Sequence, residues 1–213
     1  ACRFRPRQRE EEPRMAARRT ALGIAPGRQV VAYLGLLADY QGTDALLEAA
    51  AHLLKQRNDV HFLIMGFPNV EWYQQMAHRL GVAEHTTFTG KVPYHQARDY
   101  LALGDVAVGP KLSATEGSGK ILNYMAMALP TVVFDTPVSR EYLGDDGIYA
   151  RRGDPESLAQ ALHQALSEQK LCCKPMTRFA SSPERCYNAP LIRPRLIPCP
   201  PDQSLVRVGG RTF

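Results

Sequence analysis

The residues of this chain best suited to chemistry are Gly117-Ser118-Gly119-Lys120, which precede the run Ile121-Leu122-Asn123-Tyr124-Met125-Ala126. Two glycines and a serine leave backbone N–H groups unobstructed at the start of a helix, and a lysine follows at once. Oriented N–H groups, the positive end of a helix dipole and a cation together suit a phosphate or diphosphate. Ile121, Leu122, Met125, Ala126 and Leu129 recur at helical spacing, so the helix anchors one face in a core while its N-terminus stays open. A glycine-containing loop before a buried helix is the plainer alternative.

The elements that must position this stretch follow from the pattern between residues 29 and 167. Short apolar runs predict strands at 29–34, 60–65, 86–89, 106–108 and 131–134. Amphipathic runs predict helices at 43–56, 69–80 and 95–103, one beginning at Lys120, a helical turn near 139–143 and a last helix over 155–167. Asn69 is a candidate N-cap and Gly81 a stop, while Asp154-Pro155 supplies a cap and a first-turn proline. Strands alternating with helices predict βαβ units, hence a single doubly wound, Rossmann-like α/β domain with a parallel sheet over residues 29–167. In such sheets ligands sit beyond the carboxyl ends of the strands, where Gly66, Gly90, Gly109-Pro110 and Gly117 all fall.

The ends read differently. Residues 1–28 form a basic segment with eight Arg against three Glu, and a helix is expected near 13–22. Residues 168–213 hold seven of the 16 prolines and four of the five cysteines without sustained periodicity, which predicts an irregular or disordered tail. The same loss of pattern also follows from a coding sequence read out of frame. The net charge of +5 belongs to these ends, since residues 29–167 carry ten basic and fifteen acidic side chains. An acidic body offers no continuous basic face, which argues against a nucleic-acid binder.

The cysteines form no CxxC pair, and the six histidines form no cluster with one another or with a serine partner, so neither a zinc site nor a hydrolytic triad is expected. No apolar run reaches the roughly 20 residues of a membrane span, and a cytoplasmic location is the expectation.

In their order, these segments resemble the C-terminal, donor-binding domain of group 1 glycosyltransferases of GT-B architecture. The resemblance rests on Tyr33-Leu34-Gly35-Leu36-Leu37 with Tyr40-Gln41-Gly42-Thr43-Asp44, on Phe62-Leu63-Ile64-Met65-Gly66 and on Phe88-Thr89-Gly90-Lys91-Val92-Pro93. It continues through Gly104 to Pro110, Gly117 to Ala126 with Leu129-Pro130, and Gly153-Asp154-Pro155. It implies one half of a GT-B fold, binding a nucleoside diphosphate sugar and transferring the sugar to an acceptor hydroxyl with retention and without an obligatory metal or cofactor. It further implies that an N-terminal acceptor domain completes the enzyme, in the same or a separate chain. Any peripheral membrane association would belong to that domain. A non-catalytic nucleotide-sugar-binding module working with a partner chain is the alternative.

Carried onto this sequence, the resemblance assigns Gly35, Gly117, Ser118, Gly119, Lys120 and Asn123 to the donor and its diphosphate, with Lys120 as the catalytic cation. Gly66, Lys91 and Val92 fall near the nucleotide base, the last two through their backbone. Relatives often carry two glutamates eight positions apart. Here Thr115 and Asn123 hold those positions, so either Glu116 substitutes for the first through a shifted loop or that role is absent. Leu36 and Gln41 stand where an Arg and a Lys are common, which leaves Lys120 as the expected sole strong cation of the site.

Overall fold

The computed structural model of the chain describes residues 11–171, and side chains to residue 168. What is expected of residues 1–10 and of residues 172–213 of the tail, which together hold all five cysteines, lies outside the described residues. Six strands form one sheet: β1 (Gln29–Leu36), β2 (Val60–Phe67), β3 (Thr86–Gly90), β4 (Val106–Gly109), β5 (Thr131–Phe134) and β6 (Ile148–Ala150). Its order is β3-β2-β1-β4-β5-β6, with every pairing parallel. Strands β2, β4 and β5 are buried along nearly their whole length and are mostly apolar, with His61 and Thr131 as polar exceptions, as parallel strands covered by helices should be.

The helices are α1 (Glu12–Ala21), α2 (Thr43–Leu54), α3 (Val70–Arg79), α4 (Tyr94–Leu101), α5 (Gly119–Ala126), α6 (Pro137–Leu143) and α7 (Pro155–Leu171). Alternate residues of β1 serve opposite faces of the sheet. Val31 and Tyr33 join a core built with α2, α3 and α7, whereas Val30 and Ala32 join one built with α4 and α5. The fold is therefore doubly wound and Rossmann-like. Strand order runs outward from β1 to β3 on one side and from β4 to β6 on the other. The reversal falls between β1 and β4, and a crevice opens there at the carboxyl ends of the strands.

Several local expectations change. Strand β6 was not anticipated, because three residues at the sheet edge carry too little pattern to stand out. Asn69 does not cap α3 with its side chain. Its backbone is left-handed, and its amide donates to the Leu37 carbonyl at 3.2 Å instead. Asp154 does cap α7, accepting from the Ser157 N–H at 3.0 Å, and that helix runs past residue 167 to Leu171. Helix α1 buries no residue fully, and polar contacts tie it down: Arg19 donates to the Leu103 carbonyl at 2.8 Å and pairs with Asp105 at 3.1 Å, and Arg14 pairs with Asp99. Among the described residues no helix is long and apolar enough to cross a membrane.

Candidate functional site

The crevice between β1 and β4 holds a groove of about 280 Å³. Leu34, Gly35, Leu36 and Gln41 line it from the end of β1 and the turn beyond; Lys111, Gly117, Ser118, Gly119, Lys120 and Asn123 line it from the loop after β4 and from α5. The structure thus brings together all six residues expected to meet the donor, from segments about 80 positions apart in sequence.

Two close backbone approaches shape this groove. Gly42 has φ +75°, and a Cβ there would collide with the Pro110 carbonyl, so the turn after β1 and the loop after β4 are pressed together at a position suited to glycine. At Gly35 a Cβ would lie 2.7 Å from Lys120 Nζ, so the bare glycine makes room for the lysine head. Beneath them Tyr124 of α5 is fully buried. Its hydroxyl accepts from the Leu34 N–H at 2.9 Å and donates to the Val108 carbonyl at 3.2 Å, fastening α5 to β1 and β4. Burial holds that phenol well above the ordinary tyrosine range, so it stays protonated.

Ser118 occupies the N-cap of α5 without capping it. A serine there ordinarily accepts a hydrogen bond from the first turn. Here the hydroxyl is buried and has no partner, and its oxygen accepts from none of the first N–H groups of the helix. A buried polar atom without a partner costs on the order of 1–3 kcal/mol, a cost the folded chain carries at a residue that lines the groove.

Lys120 points across the groove. Its Nζ donates to Gln41 Oε1 at 3.0 Å and to the Tyr33 hydroxyl at 3.3 Å, and lies 4.4 Å from the centre of the Tyr33 ring. Burial first, and then the charge of Lys111, push the ammonium down to about 7. Gln41 therefore accepts a hydrogen bond from the neighbouring cation and adds no charge of its own.

The expectation of one strong cation is corrected by Lys111, which also lines the groove. It pairs with the Glu116 carboxylate at 2.9 Å and donates to the Gly117 carbonyl at 3.1 Å, bracing the loop before α5. Its position directly after Gly109-Pro110 at a strand end was the available signal. Glu116 is exposed and turned onto Lys111, outside the groove lining. Asn123 accepts a hydrogen bond from the Tyr94 hydroxyl at 3.4 Å through Oδ1.

The expected base-contacting residues lie apart from the groove lining. Gly66 is buried, and a Cβ there would collide with the Gly35 carbonyl and the Leu37 side chain. Val92 packs its side chain on a core cluster, and the Lys91 ammonium sits 5.0 Å from the centre of the Phe67 ring. Asp39 accepts from the Tyr40 N–H at 2.7 Å, and Asp44 accepts from the Tyr73 hydroxyl at 2.7 Å, so neither acid is directed at Lys120. Among the described residues no group of His, Cys, Asp and Glu is arranged to hold a metal ion.

A parallel doubly wound sheet with a helix N-terminus, an orphaned hydroxyl and a lysine at its switch point defines the Rossmann-like class of domain. The chain belongs to the group 1 glycosyl transferases, whose family model matches residues 28–168. It is 31% identical over 123 residues to the D-inositol 3-phosphate glycosyltransferase of Nocardia farcinica, covering 54% of this chain and 26% of that protein. It is 28% identical over 176 residues to a putative glycosyltransferase, EpsD, of Bacillus subtilis, covering 81% of this chain and 44% of that one. The chain spans less than half the length of each of these relatives.

Among solved structures, the fold matches the C-terminal domain of the group 1 glycosyl transferase LpcC of Francisella tularensis. The TM-score is 0.64 at 21% identity, over 79% of this chain and 87% of that one. It also matches HepE of Anabaena, solved in complex with UDP and glucose, with a TM-score of 0.65 at 18% identity over 78% of this chain and 45% of that one. These structures share one half of the GT-B architecture with the chain.

Proposed function

We propose that the groove receives the diphosphate of a nucleoside diphosphate sugar, and that the chain is the donor half of a retaining glycosyltransferase whose acceptor is an alcohol. The observation that carries this reading is that Ser118, whose hydroxyl has no partner, the open start of α5 and Lys120 all line one groove. Family membership and the UDP bound in HepE support the same ligand class. An acceptor domain, in the same polypeptide or a separate one, would complete the cleft.

In this reading the bond that breaks joins the anomeric carbon to a phosphate oxygen. The acceptor oxygen forms the new bond on the same face of the sugar, and its proton passes to the departing diphosphate oxygen. Negative charge accumulates on the departing diphosphate, beside Lys120 and the N–H groups of Gly117, Ser118 and Gly119. Donors already aimed at that position stabilise the transition state without reorganising. No metal is required for this role. Asn123 offers a neutral amide to a hydroxyl of the donor.

A second reading, a nucleotide-sugar-binding module without turnover of its own, is favoured by two features. Asn123 carries no charge where relatives often have a carboxylate, and the Glu116 carboxylate is committed to Lys111.

Calorimetric titration with UDP and GDP sugars tests the donor reading. Binding to the parent chain should weaken by about tenfold or more in Lys120→Ala, as expected for loss of one charge-assisted contact of roughly 1.5–3 kcal/mol. Equal binding by both chains would remove Lys120 from the site. Sugar transfer on adding a partner carrying the acceptor domain separates the enzyme from the binding module.

A further inference from the structure

Lys120 has two hydrogen-bond partners, Gln41 Oε1 and the Tyr33 hydroxyl, and neither carries charge at neutral pH. Both are fixed by other contacts. Tyr33 is fully buried, and its hydroxyl donates to the Leu36 carbonyl at 2.6 Å, which leaves the phenolic oxygen to accept from the lysine. Burial raises this phenol to about 12, so it does not become a phenolate counter-charge. Gln41 is buried in the turn closed by the Gly42 N–H to the Asp39 carbonyl at 2.7 Å, and Gly42 abuts Pro110.

The charged and titratable groups on the surrounding elements are otherwise engaged. Lys111, from the loop after β4, is paired with Glu116. Asp39 is held by the Tyr40 N–H and Asp44 by the Tyr73 hydroxyl, both in the segment after β1. Tyr124, on the lysine's own helix, bonds to β1 and β4. Tyr142 of α6 approaches Gly117 rather than the lysine. Among the described residues, no carboxylate pairs with Lys120.

We propose that Gln41 and Tyr33 are positioning residues forming an uncharged cage around Lys120, so that its counter-anion comes from the ligand and ligand binding draws a proton into the site. The ligand class, a nucleoside diphosphate sugar, rests on the reading given under Proposed function; the cage rests on the geometry alone. A partly buried cation whose partners are neutral favours its uncharged form, which agrees with a lysine pushed down to about 7. An arriving diphosphate restores the charged form. Affinity should therefore fall with rising pH above about 7, by up to about tenfold per pH unit until the lysine of the complex itself loses its proton.

Two measurements on the full chain test this. Side-chain NMR of Lys120, assigned by its loss in Lys120→Met, follows the lysine through a pH titration without ligand. Calorimetry with UDP-glucose in buffers of different ionisation enthalpy counts protons taken up; its diphosphate diester has no ionisation of its own near neutrality. The expected result is titration of Lys120 near neutrality and fractional proton uptake that grows as pH rises through that midpoint. Gln41→Glu should keep the lysine charged over the same range and abolish uptake, while Tyr33→Phe should move the midpoint lower.

A Lys120 that stays charged throughout in the parent, or a titration unmoved by both cage variants, would overturn the cage. The parent titration needs neither variant to fold. Binding of UDP-glucose without proton uptake would overturn the coupling. UDP-glucose binding without a titration near neutrality contradicts the cage and leaves the functional reading standing. A titration as expected with no UDP-glucose binding at any pH does the reverse, and with it removes the proposed source of the counter-anion.

Discussion

Lys111 Nζ lies 2.9 Å from the Glu116 carboxylate, at the edge of the groove that Lys120 crosses. The pair sets how much positive charge the groove presents. Lys111 is mostly buried, whereas Glu116 is 65% exposed, so solvent screens much of their attraction.

Replacing Glu116 with Gln should therefore strengthen nucleoside diphosphate binding by a few-fold, consistent with about 0.5–1 kcal/mol for a screened pair. The gain should shrink as salt rises. Calorimetric titration with UDP at two ionic strengths checks it. Weaker binding in Glu116→Gln at both would show that the carboxylate itself serves the ligand.

Gly42 and Gly35 should respond differently to alanine. At Gly42 the added Cβ meets backbone, the Pro110 carbonyl, at a positive φ, so Gly42→Ala should lower unfolding free energy by on the order of 2 kcal/mol or more. At Gly35 it meets the end of a flexible side chain, Lys120 Nζ at 2.7 Å, together with the Tyr33 hydroxyl at 3.2 Å. Gly35→Ala should retain more stability than Gly42→Ala while weakening UDP binding. Urea unfolding and ligand titration of both variants separate the two effects.

That contrast marks what the amino-acid pattern could and could not reveal. The alternation of apolar runs with amphipathic helices was enough to predict a doubly wound parallel sheet, because burial on both faces writes itself into the central strands, though not into the short edge strand β6. Gly117 to Lys120 was legible for the same reason: the motif is local. The partners of Lys120 were not, since Tyr33 and Gln41 lie 87 and 79 positions away and meet it only when β1 and α5 pack together. Ser118 was expected to offer its amide. That its hydroxyl is buried without a partner depends on how α5 sits against its neighbours. Local pattern suggested Asn69 as a cap, but tertiary contact turned its amide to Leu37.

Buried His61 should make the fold acid-sensitive. Its Nε2 lies 2.8 Å from Thr87 Oγ1, and its Nδ1 lies 3.4 Å from the Arg28 guanidinium. Burial first, then the charge of Arg28, lower the imidazole to about 4 from its ordinary value of 6.5. A group harder to protonate in the folded state contributes its full stability above about pH 6.5. As pH falls from there towards about 4, the unfolded chain takes up a proton that the folded chain refuses, and stability declines. Urea unfolding across this window should show a shallower decline for His61→Gln than for the parent. Equal slopes would mean that His61 is not responsible.

The account depends most on where the diphosphate sits. Backbone ¹H–¹⁵N spectra of the full chain, recorded while UDP is added, test this most directly. The amides of Gly117, Ser118, Gly119 and Lys120 should move together with that of Gly35, and the shifts should saturate at one common affinity. Saturable shifts confined to other parts of the sheet, with these five amides unmoved, would contradict the assignment of the groove to the donor diphosphate.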